Sequence, residues 1–270
     1  MVELEKKYKL GVRRFGLVNW VGAYSLYKKE VLRFLIVSGQ TLVGPILTSI
    51  LFLVVISLAI GDERSDVLGV PYIEFLANGL IMMQVIQQSF SHSSSSVMMG
   101  KIMGTIVDII NSPLSAAEIT ISLVLASITR GLSIALISTI IFVFFLDLTI
   151  QNYFLWFLYL FLAGLFLGSA GIIAGLYADK FDQMATVTNF IIVPLSFLSG
   201  TFYSIEKLPN ILKGLSYYNP FFHMIDGFRY SFIGQLDGSL KFGIFFLSIV
   251  STITWYLAYF LFKKGYKIKT

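Results

Sequence analysis

Apolar positions along the chain gather into long continuous runs, not into period-two alternation. Six of them read as membrane helices: residues 36–60, 72–90, 116–145, 153–177, 183–199 and 240–262. At about 1.5 Å per helical residue, roughly 20 residues cross a hydrocarbon core of ~30 Å. Ahead of the first run, Trp20, Tyr24, Tyr27 and Val31 recur every three or four positions, while Lys28, Lys29, Glu30 and Arg33 fill the other face. That pattern predicts a helix lying in the membrane interface. The second run turns polar at Gln84, Gln87, Gln88 and Ser89 and passes into His92 and the serines 93–96, which read as a flexible polar exit to the cytosol. Gly100, Gly104 and Pro113 break residues 97–117 too often for a span, although the segment is apolar enough to pack against something. Ser115 and Glu118 have the spacing of a capping box opening the third run. Gly164 with Gly168 and Gly171 with Gly175 form two small-xxx-small pairs in the fourth run, the mark of tight packing inside the protomer. Residues 147–152 are a short polar hinge before it, and Pro194 predicts a kink in the fifth run. The fold class expected is an all-α membrane protein of one domain, 1–270, with residues 1–35 as a tail and interfacial helix.

Composition supports this. Of 270 residues, 56% are hydrophobic and 13% charged, with a mean hydropathy of +0.81, values foreign to a soluble domain. Absence of Cys excludes a disulfide framework and thiolate chemistry, and two histidines, His92 and His223, leave no multi-His metal site. There is no G-x-x-x-x-G-K-[ST] loop: Gly100–Lys101 lacks both the upstream Gly and the hydroxyl residue that phosphate cradling needs. No H-E-x-x-H occurs, and the serine run has no G-x-S-x-G context. The N-terminus has the charge but not the short apolar core of a cleavable signal. Counting Lys and Arg on alternate sides gives fourteen against five, which predicts that both termini and residues 97–117 are cytoplasmic and that 200–235 is outside. Lys6, Lys7, Lys9, Arg13 and Arg14 then form a basic tail suited to anionic head groups.

Ionisable residues inside spans are the usual flags of function. Arg130 lies twelve residues beyond Glu118, about 18 Å along the helix axis. It reads equally as a cavity-facing cation for an anionic or head-group-bearing substrate, or as a charge that snorkels or pairs with a neighbouring helix. Glu74 and Asp147 lie near the outer surface, as does the acidic loop of Asp62, Glu63 and Asp66 with its single Arg64. The stretch 194–235 begins as membrane helix, breaks at Gly200, passes Pro209 and resumes at Asn219–Pro220, an N-cap followed by Pro at the first helical position. Broken apolar backbone of this kind must face protein or a water-filled cavity. His223, Asp226 and Arg229 recur at steps of three, share a face and are expected to form an ion pair that orders an outer loop. Phe202, Tyr203, Tyr217 and Tyr218 suit an interfacial aromatic belt or the lining of an exit.

The runs L-S-G-T-F-Y-S-I-E-K-L-P at 198–209, N-P-F-F-H-M-I-D-G-F-R at 219–229, G-T-I-V-D-I-I-N-S-P-L-S-A-A-E at 104–118 and Y-I-E-F-L-A-N-G-L at 72–80 together resemble ABC-2 type transporter permeases. The resemblance is nearest to short bacterial exporters of drugs, nodulation factors and polysaccharides, with Asn78 standing where Pro is frequent. It implies six transmembrane helices, an N-terminal interfacial helix, and an outer re-entrant helical hairpin between helices five and six. It also implies two permease copies and two ATP-binding subunits that carry ATP and Mg, so that this chain needs no cofactor; helices one, two and five are the expected dimer interface. The loop 97–117, with Gly100, Lys101, Gly104, Thr105, Asp108, Pro113 and then Glu118, is expected to dock on the ATPase together with the N-terminal helix. The hairpin at 200–235, with Gly200, Phe202, Tyr203, Pro209, Asn219, Pro220, His223, Asp226 and Arg229, is expected to cap the exit, and Arg130 to line the path. The expected role is an ATP-driven exporter permease of a bacterial inner membrane, in contact with lipids and not with nucleic acid. An ion-coupled carrier or channel is the alternative, weakened by the thin supply of buried carboxylates. A lipid-modifying enzyme built on His223, Asp226 and Arg229 lacks a nucleophile.

Overall fold

The computed structural model describes residues 16, 18–60, 66–146 and 148–267. The tail residues Lys6, Lys7, Lys9, Arg13 and Arg14, the loop residues Asp62, Glu63 and Arg64, and Asp147 and Lys269 lie outside the described residues. The described fold is helical, apart from an isolated bridge between Val67 and Val70. Helix α1 (Trp20–Ile36) leads through a π turn (Gly39–Val43) into α2 (Gly44–Ile60). There follow α3 (Tyr72–Ile102), the short α4 (Ile106–Asn111), α5 (Ala116–Leu146) and α6 (Tyr153–Tyr177). Next come α7 (Phe181–Val187), a second π turn (Thr188–Ile192) and α8 (Val193–Phe197). A 3₁₀ turn (Ile205–Lys207), α9 (Asn210–Tyr217), α10 (Pro220–Ile233) and α11 (Leu240–Lys263) complete the chain.

Among the described residues, four helical stretches are long and apolar enough to cross a membrane: Gly39–Ala59, Ala116–Leu146, Tyr153–Tyr177 and Leu240–Lys263. Both π turns lie just before a proline, Pro45 or Pro194. A proline has no N–H for the carbonyl four residues back, so the helix widens there to i→i−5 bonds such as Gly44 N–H to Gly39 and Val193 N–H to Thr188. The kink expected at Pro194 is thus a widened turn.

The largest departure from the sequence reading is α3, which does not end at residue 90. It continues unbroken to Ile102, with His92, Ser93 and Ser94 buried, so this run is helix and not a flexible turn. Its hydroxyls are satisfied within the fold: Ser93 donates to the carbonyl of Gly168 on α6 (2.7 Å), and Ser94 and Ser95 donate to carbonyls three residues back. Serines that bond carbonyls in this way need no water.

The glycines of α6 explain its central place. A Cβ on Gly164 would meet Ile128 at 2.7 Å and one on Gly168 would meet Ser127 at 3.0 Å, both on α5. On Gly171 it would meet the carbonyl oxygen of Phe90 at 2.5 Å, and on Gly175 the carbonyl oxygen of Ser94 at 2.8 Å, both on α3. One small pair therefore admits α5 and the other α3, all within one protomer. Around this centre α1 and α2 lie against α3 and α5, while α10 and α11 close the other side of α6.

Gly171→Ala should destabilise the fold by about 1–3 kcal/mol, because neither backbone can yield to the added methyl. Gly214→Ala, in open space on α9, should be neutral or stabilising by roughly 0.5–1 kcal/mol. Thermal melts of the purified variants in detergent check the contrast.

Candidate functional site

The polar chemistry of the fold is concentrated at the two ends of α3. At its C-terminal end the chain turns at Gly104, whose φ of +74° favours glycine, and enters α4. Ile102, Met103, Val107 and Ile110 are exposed there, as are Gly104, Thr105, Asp108 and Pro113. Three residues expected on this surface, Gly100, Lys101 and Glu118, are withdrawn from it. Gly100 is buried against Ile106. Lys101 turns inward, its Nζ donating to the carbonyls of Leu176 and Ala178 at 2.8 Å each and approaching Asp179 at 3.3 Å. A cation there satisfies free carbonyls at the C-terminus of α6, where the helix dipole favours it. The hydrogen bond from Lys101 is the main cause that holds the Asp179 carboxyl below its ordinary pKa, with the Lys267 charge adding to it. With the pKa lowered, this clasp contributes fully above the ordinary carboxylate range and is lost only as pH falls through the lowered value.

Glu118 is the second device at this end. Its Oε2 accepts from the backbone N–H and the hydroxyl of Ser115 (2.6 and 2.8 Å), and Ser115 accepts from the Glu118 N–H, which completes the expected capping box. Its Oε1 accepts from the backbone N–H of Asn19 at 2.5 Å. Asn19 caps α1 by accepting from Gly22 and donates its amide to the carbonyl of Pro113 (3.1 Å). The start of α1, the loop after α4 and the start of α5 are thereby one hydrogen-bonded node. Nothing in the sequence signalled Asn19 beyond its cap-forming residue type.

The N-terminal end of α3 meets the α9–α10 hairpin. Asn219 and Pro220 cap α10 as expected, and Asn219 also donates to Ser199 (2.9 Å). His223, Asp226 and Arg229 do share the buried side of α10, but they form no ion pair with one another. Each side chain instead holds a different piece of backbone. His223 Nε2 donates to the carbonyl of Tyr217 (2.8 Å), Asp226 accepts from the N–H groups of Asp237 and Gly238 (2.9 Å each), and Arg229 donates to the carbonyl of Gly200 (2.8 Å). The Arg229 guanidinium also lies 3.6 Å from the centre of the Phe75 ring on α3, a cation–π contact in a desolvated site. Gly200, with φ +76°, supplies the turn that presents its carbonyl. Phe202 stacks on Phe197 and its carbonyl accepts from Tyr72, while Tyr218 is exposed and Pro209 opens α9. These residues are a structural brace, with no nucleophile placed among them.

Between the two ends, Arg130 is buried on α5. It donates to Gln88 on α3 and to the carbonyl of Thr41 (3.4 Å), the acceptor that an α-helical N–H at Pro45 would have served. Both contacts reach neighbouring segments of the fold, and neither acceptor carries a charge. Nearby, Glu30 is also buried, against the expectation of a uniformly polar face on α1. It accepts from Arg33 (2.9 Å) and Ser96 (2.8 Å), and Arg33 donates to the carbonyl of His92 (2.9 Å). A signal for this was present: Leu26, Glu30 and Phe34 are four apart and define the buried face. Finally, a cavity of about 720 Å³ lies between α6, the 181–198 segment and the hairpin, walled by Phe166, Ala170, Val187, Leu195 and Leu212, with Tyr203 and Tyr218 near the hairpin.

A family model described as ABC-2 type transporter matches residues 22–233, most of the chain. The chain belongs to the ABC-2 type transporter family. This ABC-2 permease is 34% identical over 234 residues to the inner membrane transport permease YadH of Escherichia coli K12, a match covering 86% of this chain and 91% of the relative. It is similar at 24% identity over 252 residues to nodulation protein J of Neorhizobium galegae, covering 87% and 90% of the two chains. Nodulation protein J of Rhizobium leguminosarum bv. viciae is 21% identical over 232 residues, with 82% and 84% covered. The family's membrane permease is not itself the catalytic ATPase, and membership implies ATP-binding partner subunits. That sets aside the ion-coupled and lipid-enzyme alternatives.

Glu118→Ala removes an acceptor of three hydrogen bonds from a buried node, and should cost roughly 1–3 kcal/mol. Hydrogen exchange at residues 19–23 should accelerate while exchange within α6 stays slow.

Proposed function

We propose that this ABC-2 permease is the transmembrane subunit of an ATP-driven exporter that moves an amphipathic substrate, a lipid, glycolipid, polysaccharide or drug, out of the cytoplasm or inner leaflet. Two copies pair with each other and with two ATP-binding subunits. The observation that carries the reading is the exposed apolar edge of Ile102, Met103, Val107 and Ile110 around the Gly104 turn, on a chain whose family works with a separate ATPase. Exposed apolar patches rimmed by polar residues mark interaction sites, and here the rim is Thr105, Asp108 and Asn111. ATP-driven closure of the partners pushes on this edge.

Six crossings are proposed: the four apolar stretches, α3, and the 181–197 segment. α3 spans about 46 Å at 31 residues. It is largely buried among its neighbours, so it needs little lipid-compatible surface. For the same reason it offers little to a second copy, contrary to the expectation for helix two. The exposed stripe of Val43, Leu47, Leu51, Val55 and Leu58 on the first span, with Phe190 and Ile191, is the better dimer face. Fourteen cationic residues against five support cytoplasmic termini, an internal α4 and an external hairpin. The hairpin is read as a re-entrant cap over the exit, braced by His223, Asp226 and Arg229. The apolar cavity beneath it supports a cargo with a hydrocarbon portion.

Met103→Asp combined with Val107→Asp should leave the permease inserted, yet abolish co-purification of the ATP-binding subunit and substrate-stimulated ATP turnover. Unchanged turnover sinks the docking assignment. The chain has no native Cys, so single Thr105→Cys and Gly214→Cys variants report topology directly. An impermeant maleimide should label the second from outside intact cells and the first only after permeabilisation.

A further inference from the structure

A second concave site lies beside the docking edge. It is a groove of about 520 Å³ between α4, the start of α5 and the C-terminal end of α11. Ile110, Leu114, Ile119 and Phe262 form its apolar wall, and Lys263 and Lys264 its rim. Among the described residues, none that lines it is acidic. Among the described residues neither lysine meets a carboxylate, whereas Lys101 and Lys267 at the same end share Asp179. Their ammonium groups rest over aromatic rings of their own helix, Lys263 at 5.7 Å from Tyr259 and Lys264 at 4.4 Å from Phe260. Two uncompensated cations thus border an apolar trough, at the level where two spans, Ala116–Leu146 and Leu240–Lys263, end together.

We propose that this groove binds an anionic phospholipid, its phosphate on Lys263 and Lys264 and the upper part of its chains along Ile110, Leu114, Ile119 and Phe262. The assignment rests on the cytoplasmic placement of this end, where the leaflet is negatively charged and basic pockets between membrane helices take lipid head groups. Both halves of the site argue for an amphiphile. A soluble anion would leave the apolar wall wet, and a neutral lipid would leave two cations uncompensated. Because α4 supplies one wall and α11 the other, the bound lipid bridges the docking element to the last span and holds α4 in place.

Lipid retention by the full-length permease, alone and with its ATP-binding subunit, tests this by native mass spectrometry in detergent doped equally with phosphatidylglycerol and phosphatidylcholine. The wild type should retain phosphatidylglycerol selectively in both preparations. Lys263→Gln with Lys264→Gln should weaken that retention about thirty-fold, the effect of two lysines each worth about 1 kcal/mol. Lys263→Arg with Lys264→Arg should preserve it. Ile110→Trp, which fills the apolar side and leaves both charges, should also reduce it. Equal retention by the wild type and the Gln variant overturns the proposal. So does displacement of the lipid by inorganic phosphate, which would assign a free-anion site, or exclusion of lipid by the ATP-binding subunit, which would make the groove part of the docking surface. Retention by the permease alone does not depend on docking, and the maleimide labelling tests the orientation separately.

Discussion

Helices α3 and α6 touch backbone to backbone. A Cβ on Gly171 would meet the Phe90 carbonyl oxygen at 2.5 Å, and the Ser93 hydroxyl crosses the seam to the Gly168 carbonyl at 2.7 Å. Between helices in lipid, apolar side chains gain nothing by leaving one apolar medium for another, so close packing and hydrogen bonds must supply the attraction. The seam provides both. It is extended at one end by Lys101, which fastens α3 to the last carbonyls of α6. At the other end α10 comes so close to α6 that Gly227 has no room for a Cβ beside the Tyr159 ring. α5 joins through the second glycine pair, with Ser127 donating to the Ser89 carbonyl on α3 at 2.6 Å.

This packing determines where charge can be buried. Removing a charge from water without a partner costs several kcal/mol, and Arg229 is fully enclosed. It is tolerable because Gly200 breaks the helix with a positive φ and leaves a carbonyl pointing at the guanidinium, and because Phe75 on α3 covers the cation's face. The break and the arginine meet in a single hydrogen bond, and the buried Nε of Arg229 has no partner among the described residues. Arg130 repeats the arrangement at the first π turn, where a proline leaves a carbonyl without its usual donor. Chain breaks and buried arginines thus recur as pairs in this fold.

What could be read from the sequence follows from these facts. The span 153–177 matched α6 residue for residue, because its ends are marked by Asn152 and by the charged turn at 179–182. The Ser115–Glu118 box and the Asn219–Pro220 start were legible because local capping has a local signature. The length of α3 was not. Serines and a histidine look like a flexible turn until their acceptors are known: the Gly168 carbonyl on α6 for Ser93, and carbonyls of α3 itself for Ser94 and Ser95. The partners of His223, Asp226 and Arg229 were missed for a related reason: periodicity fixes the face of a helix, but a backbone carbonyl or amide leaves no mark in the sequence. Lys101 was legible as a cation near a turn, yet its direction depended on where α6 ends.

These contacts bear on how a force applied at α4 would travel if the exporter reading holds. At Gly104 the α3–α4 turn is a short joint held by two backbone hydrogen bonds, Gly104 N–H to the Lys101 carbonyl and Val107 N–H to the Gly104 carbonyl, 3.2 Å each. Force must pass through the fastenings around the joint: Ile106 against Gly100, and the Glu118–Asn19–Pro113 node that ties the loop after α4 to α1 and α5. Beyond them α3 is one unbroken helix, and near its other end Phe75 lies under Arg229 and Gly79 lies against the Thr201 backbone. A shift of α3 along its axis therefore has to break or carry with it the Arg229–Gly200 contact at the hairpin. The Lys101 clasp opposes that shift by fastening α3 to α6, which makes it a resistance in the path of the stroke, not a surface that receives it.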